Sequence, residues 1–294
     1  LSITDEQLTF RYEFEHELGH GNWGSCWRAI PESTLQVYRE TPAKRGYVRP
    51  PVKFVERTAD AASHARTKAL WNEFKILRST GPRDHVHRNI VRFHEFLLTP
   101  SFACLAMEWY EQEMKVGLPP SEYAGAHGYC AQLASAVAWL HERSVVHCDI
   151  KVANVLVKRS DARSEAILVD FGFARLHTPE SRFLSSELWG TPEYLSPERA
   201  RGDEHDERLA DVWALGVTFF EMVVGRTPFE DDDDEPFDLS QEQIHAYYQR
   251  TLTDTWADTC TKLSPLMLDL CRRMLAPEPG ARMTSSACLV HPFF

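Results

Sequence analysis

No stretch of this chain stays apolar long enough to span a bilayer. The longest hydrophobic run, Val212 to Phe220, stops at Glu221. The leading residues Leu1-Ser2-Ile3-Thr4-Asp5 have neither the basic head nor the apolar core of a secretory signal. They also lack an initiator Met, so the chain is expected to be a trimmed piece of a longer one. Cysteine is scarce and unpatterned: positions 26, 104, 130, 148, 260, 271 and 288 contain no Cys-x-x-Cys pair. An odd, scattered set argues against a disulfide frame or a zinc site, and points to reduced thiols in the cytoplasm or nucleus. Basic charge is in deficit, with 32 Lys and Arg against 43 Asp and Glu and a net charge of −11. That argues against nucleic acid or an anionic membrane as partner, and suits a basic polypeptide. With 14 Gly and 17 Pro in 294 residues and no internal repeat, collagen, solenoids and wholesale disorder are excluded.

What remains is ordinary globular composition, 43% hydrophobic and 26% charged, at a length that suits one large or two modest domains. Residues 11–18 alternate between polar and apolar, the period-two mark of a half-buried strand. Cys26 to Ile30 and Val52 to Val55 read as two more strands, separated by a proline- and charge-rich loop over 31–51. Ala59 to Leu77 is helix-rich and free of Gly and Pro, and Ile90 to Glu95 and Ala103 to Trp109 are further strands. Beyond Gly117-Leu118-Pro119-Pro120 the texture becomes helical. Ala126, Cys130, Leu133, Val137 and Leu140 fall on one helix face, and Leu209 to Val224 is apolar nearly all round, as a buried helix should be. Shorter helices are expected at 244–251, 266–274 and 285–290. A strand-rich part over 1–109 therefore precedes a helical part over 110–294. The six-acid run 230–235 reads as a solvated loop, or as a docking patch for a basic partner.

Gly19, Gly21 and Gly24 form a glycine-rich turn with a strand on either side, so backbone N–H groups there can approach phosphate oxygens closely. Lys53 stands in the next short strand. Further on come Val146-His147-Cys148-Asp149-Ile150-Lys151-Val152-Ala153-Asn154 and Val169-Asp170-Phe171-Gly172. Later still are Gly190-Thr191-Pro192-Glu193-Tyr194-Leu195-Ser196-Pro197-Glu198, then Asp211-Val212-Trp213-Ala214-Leu215-Gly216, then Arg282. Each piece alone is weak; their order is very hard to obtain by chance. In this order they resemble the eukaryotic protein-kinase family over nearly the whole chain, and the Gly-Thr-Pro-Glu-Tyr segment is similar to serine/threonine kinases rather than tyrosine kinases.

The resemblance implies an α+β, two-lobed fold: a small antiparallel sheet with one main helix, then a larger helical lobe. It implies transfer of the γ-phosphate of ATP, with Mg²⁺, to Ser or Thr hydroxyls on proteins. Asp149 is then expected to orient or accept the substrate hydroxyl proton, and Lys151 to neutralise the migrating phosphate. Lys53 would hold the α and β phosphates, paired with Glu73; Lys44 is a rival, but only Lys53 has the family's usual spacing to Glu73. Asn154 and Asp170 would hold the metal. Leu18, Gly19, Gly21, Gly24, Cys26, Met107, Glu108, Tyr110, Glu113 and Leu156 would surround the nucleotide, with Met107 as gatekeeper. Asp211 would brace the catalytic loop, and Arg282 would pair with Glu198. Two further readings stay open: a non-catalytic kinase-like scaffold, and a small-molecule kinase of related fold.

The chain departs from the family pattern in several places. Cys148 replaces the arginine that receives an activation-loop phosphate, and Glu187 stands where many relatives carry the phosphorylated residue. Activation-loop phosphorylation is therefore expected to be dispensable. Cys26 replaces the usual valine. Pro51, two residues before Lys53, removes a backbone N–H and is expected to disturb its strand. Glu113 and Glu221 resemble acids that select Arg or Lys upstream of the acceptor.

Overall fold

The computed structural model describes every residue except 22–23, 32–50, 81–85, 111, 119–122, 160–163, 231–239, 254 and 257–261. Nearly all of the loop expected over 31–51, with Lys44, and the acidic run after Glu230 lie outside the described residues. The chain divides into two compact units: Leu1–Val86 with Val91–Tyr110, and His87–Ile90 with Glu111–Phe294. The arrangement is the α+β one expected, an antiparallel sheet in the first unit and mainly helices in the second.

The first unit opens with a short helix ahead of the alternating run, α1 (Asp5–Arg11). Thr4 and Gln7 cap each other reciprocally at its start, satisfying two otherwise orphaned N–H groups. Five strands follow: β1 (Tyr12–Gly21), β2 (Gly24–Pro31), β3 (Pro51–Glu56), β4 (Phe93–Leu98) and β5 (Phe102–Met107), in the order β1-β2-β3-β5-β4. Leu8, Tyr12, Ala29, Val52, Leu97, Cys104 and Ala106 form a core between α1 and this sheet. A second helix, α2 (Ala61–Ser79), is capped by Asp60 and packs Trp71 and Phe74 against Phe93 and Phe96. Pro51 does not disturb the sheet. It is the first residue of β3, where a missing N–H is tolerated, and from Val52 onward the strand pairs with β5. Its neighbour Lys53 is fixed on both sides, opposite Cys26 and Leu105.

The second unit adds a small sheet of β6 (Gln112–Glu113), β8 (Val155–Arg159) and β9 (Ser164–Leu168), and the short strands β7 (Val145–Val146), β10 (Arg175–Leu176), β11 (Leu184–Ser185) and β12 (His205–Asp206). Its helices are α3 (Tyr123–Glu142), α4 (Pro197–Ala200), α5 (Glu207–Val224), α6 (Gln241–Thr253), α7 (Pro265–Met274) and α8 (Ser285–Cys288). α5 is the axis: all but a few of its residues are buried, and it ends at Gly225 in the left-handed region, φ 94°. Gly216 sets how closely α7 approaches, since a Cβ there would lie 3.0 Å from Met274 and Leu275. Trp213, Val217, Phe229, Tyr247 and Leu275 make the surrounding core. Among the described residues no helix is long and apolar enough to cross a membrane.

Candidate active site

The first unit brings together the residues expected around a nucleotide's phosphates. Gly19 and Gly21 end β1 and Gly24 opens β2, so the glycine turn is the return of a β-hairpin. Gly24 has φ +126°, and a Cβ on it would fall 2.1 Å from the carbonyl oxygen of Phe54, so the backbones of β2 and β3 meet only because the side chain is absent. Leu18 is exposed on β1, and Cys26 is half-buried in register with Lys53. The Lys53 ammonium donates to both oxygens of the Glu73 carboxylate, at 2.9 and 3.0 Å. Glu73 is 1% exposed on α2, so this pair is desolvated on the acid side and its geometry fixes the lysine. Met107 closes β5 and is buried; Tyr110 is buried after it, and the N–H of Glu108 donates to Arg92 O at 2.7 Å.

The second unit assembles the rest around one carboxylate. Asp149, 6% exposed, accepts from the Thr191 hydroxyl at 2.8 Å on Oδ1 and from Asn154 Nδ2 at 3.0 Å on Oδ2. Lys151 Nζ lies 3.3 Å from that same Oδ2 and donates to Thr191 Oγ1 at 2.7 Å. Asn154 Nδ2 also donates to the Asp149 backbone oxygen at 2.8 Å, which fixes the amide and turns its Oδ1 the other way. Asp170 sits in the left-handed region, φ 63°, just before buried Phe171, whose ring meets His147 edge-on. On the small sheet Glu113 of β6 stands opposite Leu156 of β8.

The loop that leads into Asp149 is held by a buried acid of α5, as expected. Asp211 of α5 accepts from the N–H groups of His147 at 2.8 Å and Cys148 at 2.9 Å, and His141 Nε2 lies 3.0 Å away. Burial works to raise this carboxyl, but the hydrogen bonds and nearby imidazoles outweigh it and hold the group below the ordinary range. Arg282 grips Glu198 with two bonds, 2.6 and 3.0 Å, in a fully buried fork. Glu221 is less available than its position suggests: the Tyr194 hydroxyl donates to it and burial raises its pKa.

Thr191, which the sequence offers only as one member of the segment 190–198, bridges Asp149 and Lys151. Glu187, by contrast, is exposed and makes no ion pair among the described residues. The anion that meets Arg175 of β10 is Glu207, at 3.5 Å, a residue no motif singles out.

Residues 12–294 match the family described as "Protein kinase domain". Three curated plant proteins show the same likeness along the chain. Serine/threonine-protein kinase SRK2D of Arabidopsis thaliana is 32% identical over 93% of this chain and 68% of its own length. Serine/threonine-protein kinase SRK2F of the same plant is 29% identical over 97% of this chain and 74% of its own. Serine/threonine-protein kinase SAPK1 of Oryza sativa subsp. japonica is 30% identical over 97% and 75%. A match spanning both units, on a fold and a set of motif residues already in place, has one reading: this chain belongs to the protein kinase domain family.

Proposed function

We propose that the chain is a working serine/threonine protein kinase that transfers the γ-phosphate of Mg·ATP to hydroxyls on proteins. The observation that carries this reading is the Asp149 carboxylate, buried yet aimed by three donors from Thr191, Asn154 and Lys151. So restrained, it can hold an incoming hydroxyl in line and take up its proton as the O–P bond forms. Thr191 ties that base to the segment that would receive the substrate.

The residues fit Mg·ATP. Asp170 and the Oδ1 of Asn154 are hard oxygen donors, one carboxylate and one amide, the sparse protein set that suits Mg²⁺ when phosphates and water complete the shell. The glycine turn between β1 and β2, whose return lies in register beside Lys53, offers backbone N–H groups to close-lying phosphates. When bound, Mg·ATP supplies the phosphoryl group and the metal charge that offsets its oxygens. Lys53, positioned by Glu73, holds the α and β phosphates, and Lys151 balances charge on the group in transit. Leu18, Cys26, Met107 and Leu156 supply apolar contact to the base. Glu108 reads the base edge through its carbonyl oxygen, its N–H being committed to Arg92, and Tyr110 through its N–H. Exposed Glu113 favours Arg or Lys upstream of the acceptor. Phosphorylation of the activation segment is not needed, since Cys148 has no charge to receive it.

The test is phosphate transfer to a mixed Ser/Thr peptide array by phosphatase-treated protein, beside Asp149→Asn. Transfer should survive the phosphatase, favour upstream basic residues, and fall about 10²-fold or more in the variant. Equal transfer by the variant would remove Asp149 from the chemistry.

A further inference from the structure

Glu207 is the first residue of α5 and wholly buried, 0% exposed. A lone carboxylate there is costly unless cations and donors surround it. They do, and they come from separate parts of the segment that runs from Asp170 to Glu198 and just beyond. His177 Nε2 lies 2.6 Å from Oε2. Arg199 Nη2 lies 3.2 Å and Arg175 Nη1 3.5 Å from Oε1, and the Cys148 thiol approaches the same oxygen at 3.8 Å. The Glu207 N–H donates to Phe183 O at 3.0 Å, so the backbone of the segment is held as well. One side chain thus touches β10, the residue after it, the end of α4 and the catalytic loop.

The partners are themselves fixed. Arg175 Nη1 donates to Ser185 Oγ of β11 at 3.2 Å, and His177 Nδ1 pairs with Ser181 Oγ at 2.8 Å. Arg199 Nη2 is 3.5 Å from Cys148 Sγ, and its Nε donates to His205. A guanidinium therefore does stand beside position 148, but it comes from residue 199, and the anion it meets is part of the chain.

We propose that Glu207 is a positioning residue for phosphoryl transfer: its carboxylate, paired with Arg175, Arg199 and His177, holds the segment between Asp170 and Glu198 in the arrangement that sets Thr191 on Asp149. It does from inside the fold what an added phosphate would do from outside, and it acts through the segment without touching the reacting atoms. The assignment rests on the kinase reading given above, which is why the experiment has an arm that needs no activity.

The experiment uses the phosphatase-treated chain with Glu207→Gln, Arg175→Gln and Arg175→Lys. It reads peptide kcat and KM, KM for ATP, melting temperature, and hydrogen exchange over 175–185. Glu207→Gln and Arg175→Gln should each lower kcat about tenfold and speed exchange over 175–185, with KM for ATP unchanged. Arg175→Lys, which keeps the cation, should recover most of both; a space-filling role would treat Gln and Lys alike. Arg175 has a side chain 32% exposed, so its variants can be compared at a native melting temperature even if Glu207→Gln does not fold. Wild-type kcat and wild-type exchange in a natively folded Arg175→Gln would overturn the proposal. If the wild-type chain transfers no phosphate, the kinase reading fails, and the exchange pattern alone then supports or overturns the role of Glu207.

Discussion

Cys148 holds φ 65°, a backbone conformation that non-glycine residues seldom adopt, and the two N–H bonds to Asp211 at His147 and Cys148 are what keep it there. Its thiol is buried against Arg199 and Glu207, and burial pushes its pKa upward, so it stays protonated and neutral. The arginine that the family resemblance leads one to expect at this place does not fit here. Cys148→Arg would crowd a packed site and add a second guanidinium beside Arg199, costing roughly 1–3 kcal/mol from overpacking alone. Combining it with Arg199→Leu should recover part of that loss, and a double-mutant cycle by urea unfolding measures the coupling. A single variant as stable as the parent would contradict the crowding. This neighbourhood also marks where sequence reading stops. Lys53, Glu73, Asp149 and Asn154 are legible because their motifs are local or regularly spaced. Thr191 on Asp149, and Glu207 on Arg175, are contacts across tens of residues that only the folded chain brings together.

Strand β2 lies against β3 at Gly24 with no room for a side chain, and that close approach sets the hairpin beside Lys53. Gly24→Ala would carry the strain of φ +126°, roughly 1–3 kcal/mol, together with a clash against Phe54 O. The expected outcome is a lower urea midpoint and weaker nucleotide binding, read by unfolding and by titration with ATP; an unchanged midpoint would mean that β2 and β3 separate freely. Elements were legible where one period dominated: the buried faces of α3 and α5, and the alternation that became β1. α1 is only seven residues, too short to show a helical period, and its one sequence signal is the reciprocal Thr4–Gln7 cap, which precedes the alternating run that begins at Arg11. Ile90 to Glu95 reads as one strand in the sequence, yet β4 begins at Phe93 and Ile90 makes an isolated bridge to Leu168.

In the second unit the Glu198–Arg282 fork links α4 to the chain's last segment, and it gives the protein a readable acid limit. Burial tends to raise the Glu198 carboxyl, but the guanidinium outweighs it and the folded pKa lies below the ordinary 4.5. Stability from this pair is therefore complete above about pH 4.5 and is lost as pH falls through the lower, folded value. Melting temperature should drop as the protein is acidified below that point. Arg282→Met, leaving a buried unpaired acid, should cost roughly 3–5 kcal/mol at neutral pH and abolish that part of the acid dependence. A melting curve equally steep in acid with and without Arg282 would assign the sensitivity elsewhere. The distribution of sulfur has a different bearing. Of the described cysteines, Cys104, Cys130, Cys148, Cys271 and Cys288 are buried, and only Cys26 is half-buried, beside the hairpin and in register with Lys53. A mild electrophile would thus find a single partly exposed sulfur among them, giving chemists a covalent foothold at the glycine hairpin of the first unit.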